Sequence, residues 1–456
     1  MYTKTFPWRD SQVKNVAWFF ERLRTGTNDV LLESTMMGEH GRFSYIALDP
    51  ETVIKSKGED VFIDGIRTPI NPLVAIQKEL AKDNSTRPKG FPLFYGGAIG
   101  YLGYDIKNSI EPKLRTTTVQ DTHFPDSYFV FPSVVIAFDH VENTIFIFAE
   151  DDSHRTMPML ETLLTMEEPS VKDSFSPLRR EDINISTNVS FTEYEQLFER
   201  AKEYVRSGDT YQVKLSIRHD FPALFDAWTM YKKLRKSNPS PYAAFLDLEG
   251  VTLISCSPEE LLRLEGRIAE TRPIGGTYKR GTTAEDDVAI AKSFFEDEKE
   301  FSEHVMLIDL ERNDIGKVSV PGSVKVVEKM ALEKYSNLMH IVTTILGRLD
   351  TGKTVFDLLS SMFPGGTVTG CPKIRAMEII DELEPVARGP YTGSIGFITP
   401  ADECQFNIII RTIAIDKTTR RGYIQVGGGI VADSTAEYEY QENLRKGKAL
   451  VDAICI

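Results

Sequence analysis

Cysteine is scarce and unpatterned. The 456 residues contain four, Cys256, Cys371, Cys404 and Cys455, with no Cys-x-x-Cys spacing and no paired histidine, so neither a disulfide framework nor a zinc site is expected. Long apolar runs are missing as well: nothing approaches the ~18 residues of a membrane span, and the segment Met1 to Trp8 has no apolar signal core. The expected address is the cytoplasm. Positive charge is in deficit, with 53 Lys and Arg against 67 Asp and Glu and a net charge of −14, which argues against nucleic acid or an anionic membrane as partner. Nucleotide loops are absent too. The glycines of Tyr95 to Tyr104 do not fit G-x-G-x-x-G and read as a close-packed turn, and Gly370 is followed by Cys371-Pro372 rather than the Lys-Ser/Thr of a Walker A loop.

What is present is ordinary globular composition, 41% hydrophobic and 26% charged, in a chain too long for one typical core. Residues 28–150 alternate short β-rich runs with turn signals, which suggests a mainly antiparallel sheet interrupted by a helix near Leu73 to Lys82. From Glu167 to Asn188 the apolar periodicity stops, so a linker is expected there, dividing an N-terminal region 1–185 from a region 186–456. The second region opens on Ser190-Phe191-Thr192-Glu193, a capping box, with Gly208 as the stop of its helix. A strand Tyr211 to Arg218 follows, with Gln212, Lys214 and Ser216 on one face.

Two helices carry a repeated acidic spacing. Glu300 and Glu303 are at i and i+3 near the start of one, Glu439 and Glu442 near the start of the last, so each pair shares a helix face. Solvated helix faces are the commoner explanation; if the helices face each other, four carboxylates call for a hard divalent cation such as Mg²⁺. The Gly365 to Lys373 loop runs into a helix and offers backbone N–H groups to an anion. Arg411 is expected mid-strand among isoleucines, either clamping a carboxylate or held in an internal salt bridge. Gly427-Gly428-Gly429 marks a close backbone approach, with Lys446 near the second acidic pair. Two cationic side chains, two amide-rich loops and an expected Mg²⁺ describe a pocket for a small dicarboxylate. His340 in its apolar run reads as a core histidine or a catalytic one, and Glu259 after Ser257-Pro258 as a turn carboxylate or a general acid.

Several longer motifs occur in order: Gln212 to Ser216, Asn238-Pro239-Ser240-Pro241-Tyr242, Ser257-Pro258-Glu259, Thr271 to Thr277, Glu303 to Asp314, and Phe363 to Lys373. On these the chain resembles the chorismate-utilising enzymes. The resemblance implies an α/β (α+β) fold of two large, mainly antiparallel sheets packed as a sandwich with helices outside. It implies that Glu303 and Glu442 ligate Mg²⁺ while Glu300 and Glu439 hold its waters. It implies that Tyr391, Arg411, Gly427 and Lys446 bind the substrate carboxylates, that Gly276, Thr277 and Thr367 line the site, that Glu259 is the general acid for loss of the C4 hydroxyl, and that His340 matches the histidine used in pyruvate loss. Gly428 and Gly429 follow Gly427 in the same segment.

Within the family, water-adding members carry a lysine base where this chain has Gln212, so ammonia is the expected nucleophile. Many members of the para-aminobenzoate branch have a nucleophilic lysine where this chain has Gly275. Phe363 to Gly370, Asn238 to Leu246 and Gln405 to Ile408 nevertheless look most like that branch. The expected reaction is amination of chorismate to 4-amino-4-deoxychorismate for folate synthesis, with anthranilate formation as the alternative and a non-catalytic binding subunit as a second. A separate glutaminase subunit is implied as the ammonia source. Leu31 to Ser34 and Asn238, Pro239, Ser240 and Tyr242 resemble the two halves of a pocket that holds tryptophan in relatives.

Overall fold

The computed structural model describes residues 1–8, 15–36, 41–114, 118–167, 183–334 and 338–454; the side chains of Thr277, Ala284, Ala291, Lys299 and Leu338 also lie outside that description, as does most of the expected linker. Alternation of side chains explains the layering. In strand Asp29–Glu33, Leu31 joins one apolar cluster and Val30 another. In Phe43–Lys57 the same split separates Ile46 from Tyr45 and Ala47, and in Tyr242–Leu248 it separates Phe245 from Ala244 and Leu246. One face therefore packs under helices Val16–Leu23, Thr156–Leu164 and Ala227–Ser237, whose Trp18, Phe19, Phe20, Leu160, Trp228 and Tyr231 fill the outer core. The other face meets a second set of strands in an inner core that includes Tyr45, Tyr128, Leu253 and Phe397. Helices Pro72–Leu80, Glu298–Gly316 and Val355–Met362 cover the far side through Ile76, Ile308 and Leu358.

The two sheets are continuous. Every ladder between named strands is antiparallel, and together they join 22 strands into one network. The corner strand Phe43–Lys57 changes register opposite Ser127–Asp139 between Pro50 and Thr52; before the change Ile46 and Leu48 face the first outer core, after it Ile54 faces the second. A bulge re-aims the side chains as the strand turns from one sheet into the other. Ladders also cross the expected regional boundary: Ala243 pairs with Glu33, and Ser394 with Leu102.

The expected capping box forms: the Ser190 amide reaches Glu193 Oε2 at 2.7 Å, and the Glu193 amide reaches Ser190 Oγ at 3.3 Å. It starts helix Phe191–Ser207, which Gly208 ends at φ 81°. Two expectations need correction. Ala98–Leu102, read as part of a close-packed turn, is a strand paired on both sides, with Ser394–Ile398 and with Ser127–Asp139, and Gly100 lies so close to Tyr128 that a Cβ would fall 1.9 Å from its carbonyl oxygen. The expected strand through Arg411 is broken: Cys404–Asn407 and Thr412–Asp416 are strands, and Arg411 sits at the bend between them with φ 51°. The apolar run there is buried without being extended.

Candidate active site

Strand Arg421–Ile430 is the floor of the site. Its Gly427, Gly428 and Gly429 pair with Ser216, Leu215 and Lys214 of strand Gln212–Pro222. Each glycine leaves room for a different side chain: a Cβ would fall 2.7 Å from the Tyr391 hydroxyl at Gly427, 2.9 Å from Oε2 of Glu439 at Gly428, and 2.6 Å from Nε2 of Gln212 at Gly429. Any larger residue would push a site side chain aside. Lys446, from helix Ala436–Ile454, donates to the Gly427 carbonyl at 3.2 Å and pairs with Glu442 at 3.5 Å.

Lys214 stands at the centre. Its amide donates to the Thr369 carbonyl at 2.8 Å, and its carbonyl accepts from Arg388 at 2.7 Å, so the backbone is held from two sides. Its ammonium makes no hydrogen bond or ion pair among the described residues. Burial, then the like charge of Lys446, pulls it down to about 8, opposed by Glu259, Glu303 and Glu439. One amine thus senses the candidate acid and one carboxylate from each acidic helix. The sequence offered a signal here, a lysine on the same strand face as Gln212 and Ser216, which motif reasoning did not turn into a site residue.

Glu259 is 7% exposed. Burial pushes its carboxyl above the usual range; Thr367, Lys214, the Ile274 backbone and Arg411 counteract in that order. The Thr367 hydroxyl lies beside it, outside the reach of a well-formed hydrogen bond but close enough to favour its charge. Arg411 also makes no side-chain hydrogen bond or ion pair among the described residues, and desolvation lowers its pKa. The internal salt bridge is therefore not what the structure shows. Glu259 thus feels two cations that have no hydrogen-bond or ion-pair partner among the described residues.

His340 of strand Leu338–Arg348 lies opposite Thr277 in the ladder and bonds the Gly276 backbone. Burial, then Arg411, pulls its imidazole down to about 4, so it is neutral at pH 7. The Thr277 side chain lies outside the described residues. Gly275 is packed under His304, whose ring a Cβ would meet at 2.5 Å, and Gly276 under Tyr278 at 2.7 Å. The Tyr278 hydroxyl donates to Glu300. Part of the Gly365 to Lys373 loop, expected to offer its backbone to an anion, is bonded within the protein. The Val368 and Thr369 amides bond Gly365 and Gly366, and the Lys373 ammonium is taken by Asp314 and the Met362 carbonyl.

Glu439 accepts from Ser434 at 2.8 Å and Glu442 from Arg445 at 2.9 Å. Among the described residues no three His, Cys, Asp or Glu side chains are grouped tightly enough to enclose a cation. Magnesium does not need three, since it takes one or two carboxylates and keeps several waters. The donors fit it: all are oxygens, and Glu303 and Glu439, from different helices, act on one ammonium.

Sequence reasoning also missed Glu311, whose signal was only a carboxylate between Leu310 and Arg312 on a packed helix. Thr271 Oγ1 is 2.9 Å from the Leu261 carbonyl and 3.2 Å from Glu311 Oε2. One hydroxyl has one proton to give, so both contacts are hydrogen bonds only if Glu311 is the donor in the second. Burial pushes its carboxyl up to about 8, with Lys373 opposing and Asp314 and Glu259 adding. The folded state therefore holds this proton more tightly than the unfolded chain, and stability is lost as pH rises from the ordinary 4.5 through about 8. The loss is on the order of 5 kcal/mol. Glu311→Gln keeps a donor to Thr271, so its thermal melts are expected to vary less than wild type across that window; an equal pH dependence would contradict the assignment.

The segments expected to form a second pocket do meet: Thr35 and Ser240 exchange hydrogen bonds at 3.0 and 2.8 Å. Beside them is a cavity of about 570 Å³ lined by Glu33, Tyr45, Tyr242 and Asn407 among others. Ser34, Asn238, Pro239 and Ser240 are not among its lining residues; Ser34 Oγ is turned to the Met36 carbonyl at 2.8 Å.

A family model described as chorismate binding enzyme matches residues 28–452. The chain belongs to that family. It is 40% identical over 453 residues to aminodeoxychorismate synthase component 1 of Bacillus subtilis (strain 168), covering 95% of this chain and 93% of that one. It is also 40% identical over 429 residues to anthranilate synthase component 1 of Thermus thermophilus, covering 93% and 91%. Among solved structures, anthranilate synthase component I from Streptococcus pneumoniae TIGR4 superposes with a TM-score of 0.79 at 32% identity, over 91% of this chain and 93% of that one. The isochorismate synthase MenF of Escherichia coli shares the fold, with a TM-score of 0.73 at 16% identity. This chorismate-utilising enzyme has, among its described residues, no helix long and apolar enough to cross a membrane.

Proposed function

We propose that this enzyme aminates chorismate to 4-amino-4-deoxychorismate, the precursor of para-aminobenzoate, using ammonia as nucleophile. The observation that carries the reading is Glu259, a carboxyl that burial holds toward its protonated form within the influence of two cations, Arg411 and Lys214, that have no partner among the described residues. A dicarboxylate supplies the missing anions, and an acid with a raised pKa can give its proton to a leaving hydroxyl. Arg411 and Tyr391 hold one carboxylate, with the Gly427 backbone and Lys446 nearby for the other. Glu303 and Glu442 would hold magnesium, with Glu300 and Glu439 toward its waters, and the ion would supply positive charge for a substrate carboxylate. Gln212 stands where water-adding relatives have a base, which favours ammonia. The described cysteines are poor nucleophiles, since burial raises all three, Cys256 to about 12; ammonia then comes from a separate glutaminase.

Formation of anthranilate with loss of pyruvate is the second reading. It is favoured by a neutral His340 beside Arg411 and by the equal identity to relatives of both names. The first test is consumption of chorismate, followed by its absorbance. Loss that requires both magnesium and an ammonium salt supports amination, and equal loss without ammonium contradicts it.

A further inference from the structure

We propose that Lys214 contacts the substrate directly, holding one carboxylate of the dicarboxylate while Arg411 holds the other. The inference rests on the reading above and adds a residue to it. Three observations carry it. Lys214 lies in the ladder opposite Gly429, whose missing side chain makes room for Gln212 on the same strand face and puts no side chain of its own against the lysine. Its backbone is fixed by Thr369 and Arg388, so the ammonium is delivered from a rigid strand. It also makes no hydrogen bond or ion pair among the described residues although Glu259, Glu303 and Glu439 act on it. A largely buried ammonium kept apart from three carboxylates is costly in an empty protein, and an anion between them removes that cost.

The two free cations act on Glu259 alike, each favouring its charged form. A substrate with one carboxylate on Arg411 and one on Lys214 therefore spans Glu259 and presents to it the group that leaves. A molecule with one carboxylate satisfies only one cation. Discrimination between dicarboxylate and monocarboxylate then belongs to Lys214.

Titration calorimetry without ammonium tests this, with chorismate and, as the monocarboxylate probe, benzoate. Lys214→Gln is expected to weaken chorismate by about tenfold or more, as loss of one side of a desolvated charge pair does, while benzoate binds as to wild type. Lys214→Arg, which keeps the charge, is expected to recover most of the chorismate affinity. Both variants are expected to melt no lower than wild type, since neither leaves a new charge unpaired. Unchanged chorismate affinity in Lys214→Gln, or an equal loss for benzoate, overturns the proposal alone. Failure of wild type to bind chorismate overturns the functional reading and this proposal with it.

Discussion

Glu259→Gln is expected to lower kcat by about 10²–10⁴-fold, the range a positioned general acid supplies, with chorismate affinity little changed. Glutamine has the shape of the protonated acid and can still donate to a substrate oxygen. What it cannot do is transfer the proton when the C–O bond breaks. The pH profile separates this from a loss of shape. Burial raises the Glu259 carboxyl, so the wild-type rate is present while that proton is bound and falls on the alkaline side as it leaves. The variant is expected to show no such limb. A variant with near wild-type kcat, or with the same alkaline limb, would remove Glu259 from the role.

Glu303→Gln is expected to reduce magnesium-dependent turnover by about 10³-fold or more while the protein stays folded. The size reflects a hard cation that depends on carboxylate charge for its affinity and a substrate carboxylate that depends on the cation. Glu303 sits in helix Glu298–Gly316, whose buried side is made by Leu307, Ile308, Leu310 and Ile315, so an isosteric change at Glu303 leaves the packing intact. Calorimetry with magnesium alone gives a readout free of catalysis: binding by wild type and its loss in the variant. Unchanged turnover and unchanged magnesium binding together would contradict the ligand set.

Much of this was legible in the sequence because the relevant signals are local. The capping box at Ser190 and Glu193 and the stop at Gly208 are each fixed by a few neighbouring residues. The i, i+3 acidic pairs stated which helix faces to watch, and the resemblance implied one site for Glu259, Arg411 and Lys446. What the sequence did not reveal depends on contacts between distant segments. Nothing around Arg411 announces a bend, which follows from its place between strands that pair with different partners, Thr412–Asp416 with Val251–Ser257 and Cys404–Asn407 with Glu260–Glu265. Lys214 and Glu311 look like ordinary charged residues until folding buries one beside Glu259 and the other beneath Thr271. The Val368 and Thr369 amides of the expected anion loop and the Lys373 ammonium find partners inside the protein, which spacing alone does not encode.

The most direct measurement is the identity of the product. Purified protein is incubated with chorismate, magnesium and an ammonium salt at mildly alkaline pH, and the product is identified by mass and fluorescence. The account predicts aminodeoxychorismate, which retains the enolpyruvyl group and yields para-aminobenzoate when a lyase is added. Anthranilate with an equal amount of pyruvate would contradict it and give His340 the deciding role.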